Sequence, residues 1–427
     1  MSVALAPRPA TDWKSPAMAA RVARRYRAER SFRFLGLAAL VIALGFLAFL
    51  LATMIRNGAT GFLTTEMRIT LTLDPATLEL GADRSPAALR TANYQAVVIR
   101  DTRRDLGEEG LQLVSLNGWT KVRSAVLADP SLIGRTTDVW VPVKSPVDQW
   151  AKGRIDRDTP PELSPVTPKD VAAWERLKAA GETRTAFNWG LFRYSDSTQP
   201  EMAGIRGAFI GSLLTILVTL ALAFPIGVLA AVYLEEYAPK NRWTDLIEVS
   251  INNLAAVPSI IFGLLGLAIF LNTMGLPRSA PLVGGMTLAL MTLPVIVIAA
   301  RAAIKAVPPS IRDAALGVGA SPVQTVFHHV VPLAMPGILT GTIIGVARAL
   351  GETAPLLMIG MRAFIVDAPR SVLEPATVMP VQIFLWSDDV NRGFVEKTSA
   401  AILVLLVLLL MINGVAIYLR NRFERRW

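Results

Sequence analysis

A chain of 427 residues that is 52% hydrophobic and only 18% charged is too apolar for an ordinary soluble enzyme. Its net charge of +10 sits largely in short basic flanks of apolar runs, so it reads as a topology signal and argues against a nucleic-acid partner. The absence of cysteine excludes disulfides and thiolate metal sites.

Residues 1–33 form an N-terminal arm that ends in the basic run Arg21–Arg33, RVARRYRAERSFR, and is predicted to be cytoplasmic. The first apolar window follows at Phe34–Ile55, long enough to cross a bilayer and therefore a source of lipid contact. It is too long for a signal-peptide h-region, no small-x-small cleavage site follows, and the residues around Arg24-Arg25 do not fit a twin-arginine signal. An uncleaved anchor is the expectation.

Residues 56–203 contain nothing membrane-like and predict a small α+β domain between the first two spans. Met67–Leu73 alternates as a half-buried strand. The stretch TPKDVAAWERLKAAG predicts an amphipathic helix, with Val171, Trp174 and Leu177 on one side and Gly181 as its stop. The domain's length exempts it from the positive-inside rule, so Arg100, Arg103 and Arg104 are read as solvated surface on the extracytoplasmic side.

From residue 204 to 427 the apolar windows crowd together, at Ala208–Tyr233, Ile247–Leu271, Pro281–Ala303, Gly337–Met361 and Thr398–Leu419. With the first they make about six transmembrane helices. Lys240, Arg242, Arg301, Lys305, Arg312 and the closing RNRFERRW make every predicted inner flank basic, which puts both termini in the cytoplasm. The fold class is an α-helical polytopic membrane protein carrying a small α+β extracytoplasmic domain between helices 1 and 2. Pro225, Pro258, Pro294 and Pro355 are expected to kink their spans, and Asn252 and Asn253 to hydrogen-bond between helices.

The inner segment between the fourth and fifth spans, residues 308–336, is too patterned for a passive loop. Ser310 with Asp313, and Ser321 with Gln324 and Pro322 between them, make two capping-box patterns. Gly317 and Gly319 lie between, where the chain must turn. His328-His329 has neither an H-E-x-x-H pattern nor a third ligand, so no metal is expected.

The fifth span contains GVARALGETAPLL, with Arg348 and Glu352 at helical spacing inside an apolar run. A charge near the centre of a bilayer costs about 2.5–3.5 kcal/mol, so two of them need a reason. One is a structural ion pair that offsets its own burial. The other is a charged substrate: Arg348 offers a fork of donors suited to oxyanion oxygens, and Glu352 keeps the hold weak enough for release.

The stretch DAALGVGASPVQTVFHHVVPLAMP resembles the EAA loop of ABC-importer permeases, in which Glu-Ala-Ala, three residues, Gly and nine residues precede Ile-x-Leu-Pro. Asp313, Ala314, Ala315, Gly319 and Pro332 fill that pattern, while Asp313, His329 and Val331 depart from its Glu, Ile and Leu. YLEEYAPKNRW, NNLAAVPSIIFGLLGLAIF and ARALGETAPLL narrow the resemblance to phosphate-transporter permeases of the PstA type, over roughly Gly204 to the C-terminus.

That resemblance implies the type I ABC-importer permease fold and an ATP-driven phosphate importer. It also implies partners: a second permease (PstC type), a dimer of ATPase subunits (PstB type) and an extracytoplasmic phosphate-binding protein (PstS type). Asp313, Ala314, Ala315, Gly319 and Pro332 would couple to the ATPase. The chain has no G-x-x-x-x-G-K-[ST] loop, so it is not the motor; ATP belongs to the partner and no cofactor to this chain. The alternatives are a permease for sulfate or molybdate and, from another class, a membrane-anchored ligand sensor. Short inner segments leave a sensor no signalling domain, and the spans hold no nucleophile–base pair for an enzyme.

Overall fold

The computed structural model describes residues 15–423 apart from 82, 83, 157, 158, 163 and 363. The start of the basic arm and the end of the basic tail, residues 424–427, lie outside the described residues. The arm and the first apolar window form one continuous helix, α1 (Pro16–Gly58), with Glu29 and Arg33 paired one turn apart.

The N-terminal domain runs β1 (Leu63–Thr72), α2 (Pro86–Thr91), α3 (Tyr94–Leu113), α4 (Trp119–Ala128), β2 (Thr136–Pro142), α5 (Ser145–Ala151), α6 (Pro168–Ala179), β3 (Thr183–Phe187) and α7 (Gly190–Arg193). Its antiparallel sheet has the order β2-β1-β3, with Met67 opposite Val141 and Leu63 opposite Phe187. Met67, Ile69 and Leu71 alternate inward as expected, but the strand begins four residues earlier. Thr64, Thr65 and Glu66 are polar and still buried, which hid them from a hydrophobic pattern. Glu66 is tolerated there because Lys121 and Arg184 both pair with it.

The helix predicted around Trp174 is α6. Thr167 and Asp170 close a reciprocal capping box, Trp174 and Leu177 are buried, and Gly181 turns the chain at φ +73. Arg100 differs from the solvated role expected of it. It bonds the fully buried Asp101 at 2.8 Å and the carbonyl of Thr72 at 2.6 Å, and so pins α3 to the end of β1.

The bundle comprises α8 (Arg206–Val232), α9 (Arg242–Ala255), α10 (Ser259–Leu265), α11 (Pro281–Lys305), α12 (Pro309–Gly317), α13 (Pro322–Gln324), α14 (Val331–Gly351), α15 (Ala354–Met358), α16 (Met379–Ser387) and α17 (Gly393–Phe423). Among the described residues five helices are long and apolar enough to cross a membrane, six if α9 and α10 with its continuation to Thr273 form one bent span. That span turns by 105° at Pro258, a break and not a kink. Helices α8 and α11 run through Pro225 and Pro294 without interruption.

Small residues bring the helices together, as expected where lipid supplies no hydrophobic drive. A Cβ on Gly285 or Gly227 would strike Val218 or Ile296, so α8 and α11 meet nearly backbone to backbone. Gly337, Gly341 and Gly345 do the same for α14 against Ala303, Ala299 and Thr292 of α11. Asn252 and Asn253, in contrast, point outward, and no hydrogen bond ties them to another helix among the described residues.

The domain and the bundle share a charged joint at the start of α17. Lys152 bonds Asp148 at 2.6 Å and the carbonyl of Leu63 at 2.9 Å, and lies 3.3 Å from Glu396; Arg154 is 3.4 Å from the same carboxylate. Lys152, Glu396 and the neighbouring Lys397 are nearly inaccessible. Gly61 and Gly393 allow the close approach, since a Cβ on either would hit the Glu396 backbone or the Ser145 hydroxyl. Removing one member of a buried ionic cluster leaves its partner desolvated, at about 3–5 kcal/mol. Glu396→Ala should therefore lower the thermal unfolding midpoint of the purified chain markedly. Replacing Lys152 and Glu396 together with Met and Leu should lower it less.

Candidate translocation and coupling sites

Arg348 lies in the last turn of α14, where a cation complements the negative end of the helix dipole. Glu352 is not on the same helical face. The helix stops at Gly351 and Glu352 takes an extended conformation at ψ 126. Pro355 accounts for the stop, because in a continued helix its ring would clash with the carbonyl of Gly351, four residues back. The two side chains still meet across the break, with Arg348 Nε 3.5 Å from Glu352 Oε1.

The contacts of α14 give the depth of the pair. Gly337 faces Ala303, Gly341 faces Ala299 and Gly345 faces Thr292, so the two helices run antiparallel in close contact. One further turn puts Arg348 beside residues 288–289 of α11, roughly 24 Å along the helix from Lys305 at 1.5 Å per residue. The second break of the bundle lies close by. Gly263 of α10 packs against Pro355 and Met358 of α15, so α10 and α15 abut beside the Arg348–Glu352 turn.

The other sequence-derived residues gather at the opposite end of the bundle from the N-terminal domain. Helix α12 starts at Pro309 with Pro308 as its cap, so Ser310 sits inside the first turn and makes no capping box with Asp313. Pro308 in the cap position carries no side-chain acceptor, so the first-turn N–H groups receive no side-chain cap. Asp313 and Ala314 are exposed, Ala315 is buried and Pro332 is partly covered. Gly319 adopts φ +90, its N–H bonding the Leu316 carbonyl and that of Ala320 bonding the Ala315 carbonyl. This is a Schellman stop. Ser321 and Gln324 then make the expected reciprocal cap, at 3.3 and 2.9 Å. His328 and His329 are exposed and border a groove with Val307, Pro308 and Ile311.

An added Cβ at Gly319 meets nothing within 4 Å, so the left-handed backbone alone restricts that position. A β-branched residue there bears roughly 1–2 kcal/mol or more of strain, and asparagine much less. Gly319→Val should therefore leave membrane insertion intact while reducing transport, and Gly319→Asn should stay near the parent. Transport assays on the assembled complex separate the two.

A network at this end escaped the sequence reading. Glu235 and Glu236 sit on a widened last turn of α8, Tyr233–Tyr237. Arg301 bonds Glu235 at 2.7 Å and Glu248 at 2.9 Å, tying α8, α9 and α11. Arg312 of α12 bonds Glu236 at 2.6 Å and the carbonyls of Val307 and Ile304 at 2.7 and 3.1 Å. The signal was present as an acid pair ending one span opposite bases flanking others, but those bases were read only as topology.

The family description "binding-protein-dependent transport system inner membrane component" matches residues 203–427, the whole bundle from α8 onward. The chain belongs to this family. A domain of unknown function, DUF3333, matches residues 19–161. The permease is 32% identical over 223 residues to the probable ABC transporter permease YqgI of Bacillus subtilis, covering 48% of this chain and 74% of that one. It is 32% identical over 224 residues to the phosphate transport system permease PstA 1 of Mycobacterium tuberculosis, covering 52% and 72%. It is also 29% identical over 262 residues to the PstC permease of Haemophilus influenzae, covering 56% and 79%. The resemblance to PstA-type permeases read from the EAA loop and the GETAPLL stretch therefore holds. So does the type I ABC-importer permease fold, a multi-pass inner-membrane bundle.

Proposed function

We propose that this permease is one of two membrane subunits of an ATP-driven inorganic phosphate importer, with Arg348 on the anion's path. The geometry of the Arg348–Glu352 pair carries the reading. Arg301 bridges two carboxylates and Arg312 grips one with two nitrogens, with contacts down to 2.7 and 2.6 Å, as structural locks do. Among the described residues the Arg348 contact is single, 3.5 Å long and too slack for a good hydrogen bond, and the arginine side chain is 43% exposed. A guanidinium at that depth with unused donors suits an oxyanion whose hold must be brief. The phosphate named for the PstA relatives supports the choice of anion.

Coupling falls to the far end of the bundle. Asp313, Ala314 and the 86% exposed Val318 face outward on and beside α12, the surface offered to an ATPase partner in the cytoplasm. Arg312 and Glu236 pass a push on α12 to α8. A second permease covers the exposed Arg348 face, and a phosphate-binding protein delivers to the end bearing the N-terminal domain. Both termini are then cytoplasmic.

The test is uptake by cells expressing the complete transporter with this chain as the PstA-type subunit. Radiolabelled phosphate should accumulate only with ATP available, and excess sulfate or molybdate should not compete. Equal competition by either anion would overturn the substrate, and uptake without this chain would overturn its role.

A further inference from the structure

Where the N-terminal domain meets the bundle, α8 and α17 leave an apolar groove of about 850 Å³. Phe62, Ile205, Phe209, Leu403, Val407 and Met411 line it, and Arg206, the first residue of α8, supplies its one charge. That side chain is exposed, and among the described residues no carboxylate or other group pairs with it. Arg301, Arg312 and Arg348 of the bundle, by contrast, each have a carboxylate within 3.5 Å.

Two groove-lining residues, Phe62 and Phe192, belong to an aromatic cluster beside it. Phe62, Phe187 and Phe192 stack with centroids 6.2–6.4 Å apart, and Trp189 meets Phe187 edge-on at 4.8 Å. Trp189 is 61% exposed although it is large and mostly apolar. Exposed tryptophan beside the start of a spanning helix marks headgroup level, where amphipathic rings settle. Hydrocarbon-sized space below that level and an unpaired cation at it match the two halves of one molecule.

We propose that this groove holds an acyl chain of an anionic phospholipid whose headgroup phosphate sits on Arg206. The positive end of α8 adds to the attraction, and the aromatic cluster fixes the headgroup depth. The lipid would pack against both α17, which carries the charged joint to the N-terminal domain, and α8, which carries Glu236 at its other end. It would thus brace the two helices that the domain and the coupling end share.

Native mass spectrometry of the purified full-length chain, delipidated in detergent, tests the proposal. The chain is titrated with phosphatidylglycerol, with phosphatidylcholine of identical acyl chains, and with inorganic phosphate. The wild type should retain one phosphatidylglycerol at least five-fold more tightly than phosphatidylcholine. Arg206→Gln should erase that preference and Arg206→Lys should keep most of it. Val407→Trp, at an exposed position, should fill the groove and lose both lipids. Equal retention of the two lipids by the wild type, an undiminished preference in Arg206→Gln, a lipid still bound by Val407→Trp, or displacement of phosphatidylglycerol by millimolar inorganic phosphate would each overturn it.

Discussion

Arg348→Ala is expected to reduce phosphate uptake by about 100-fold or more while the transporter still assembles. Charge-assisted hydrogen bonds contribute roughly 1.5–3 kcal/mol each, and removing the guanidinium takes away at least two from a bound oxyanion. Assembly should survive because the side chain makes one slack contact and leaves only Glu352 unpaired. Arg348→Lys should recover little, since an ammonium is a point charge without the planar fork. Glu352→Gln should be milder for binding and should slow release more than loading. Initial-rate uptake, with assembly checked by co-purification of the partner subunits, distinguishes these outcomes.

Arg312→Ala is expected to uncouple the transporter. Its guanidinium is the link that holds α12 to Glu236 of α8 and to the last carbonyls of α11 and the turn after it. Without that link α12 can yield when pushed without moving the spans. ATP hydrolysis by the assembled complex should persist while uptake falls at least ten-fold. Glu236→Gln should fall less, because Arg312 keeps both backbone carbonyls. A parallel loss of hydrolysis and uptake in Arg312→Ala would instead mean that α12 no longer docks.

Much of this architecture was legible because the membrane imposes long apolar windows, and short-range chemistry marks helix ends. The Ser321–Gln324 cap and the Gly319 stop are local and appeared where the residues predicted them. Features set by distant packing were not legible. The third window looks continuous in composition, yet Pro258 breaks it by 105°. Arg348 and Glu352 have helical spacing, but Pro355, three residues beyond Glu352, ends the helix between them. Glu66 and Glu396 are buried only because Lys121, Arg184 and Lys152 arrive from far along the chain. The Arg301 and Arg312 locks were visible as charges but not as pairs, since their partners lie 66 and 76 residues away.

Phosphate uptake by the Arg348→Ala/Glu352→Ala double variant, set beside the two single variants, tests the central claim most directly. If the pair were structural, removing both charges would leave neither desolvated and would restore transport above either single variant. If Arg348 holds the anion, the double variant should be as inactive as Arg348→Ala alone, in a complex that still assembles and hydrolyses ATP. Uptake recovering to a substantial fraction of the parent in the charge-free variant would contradict the account.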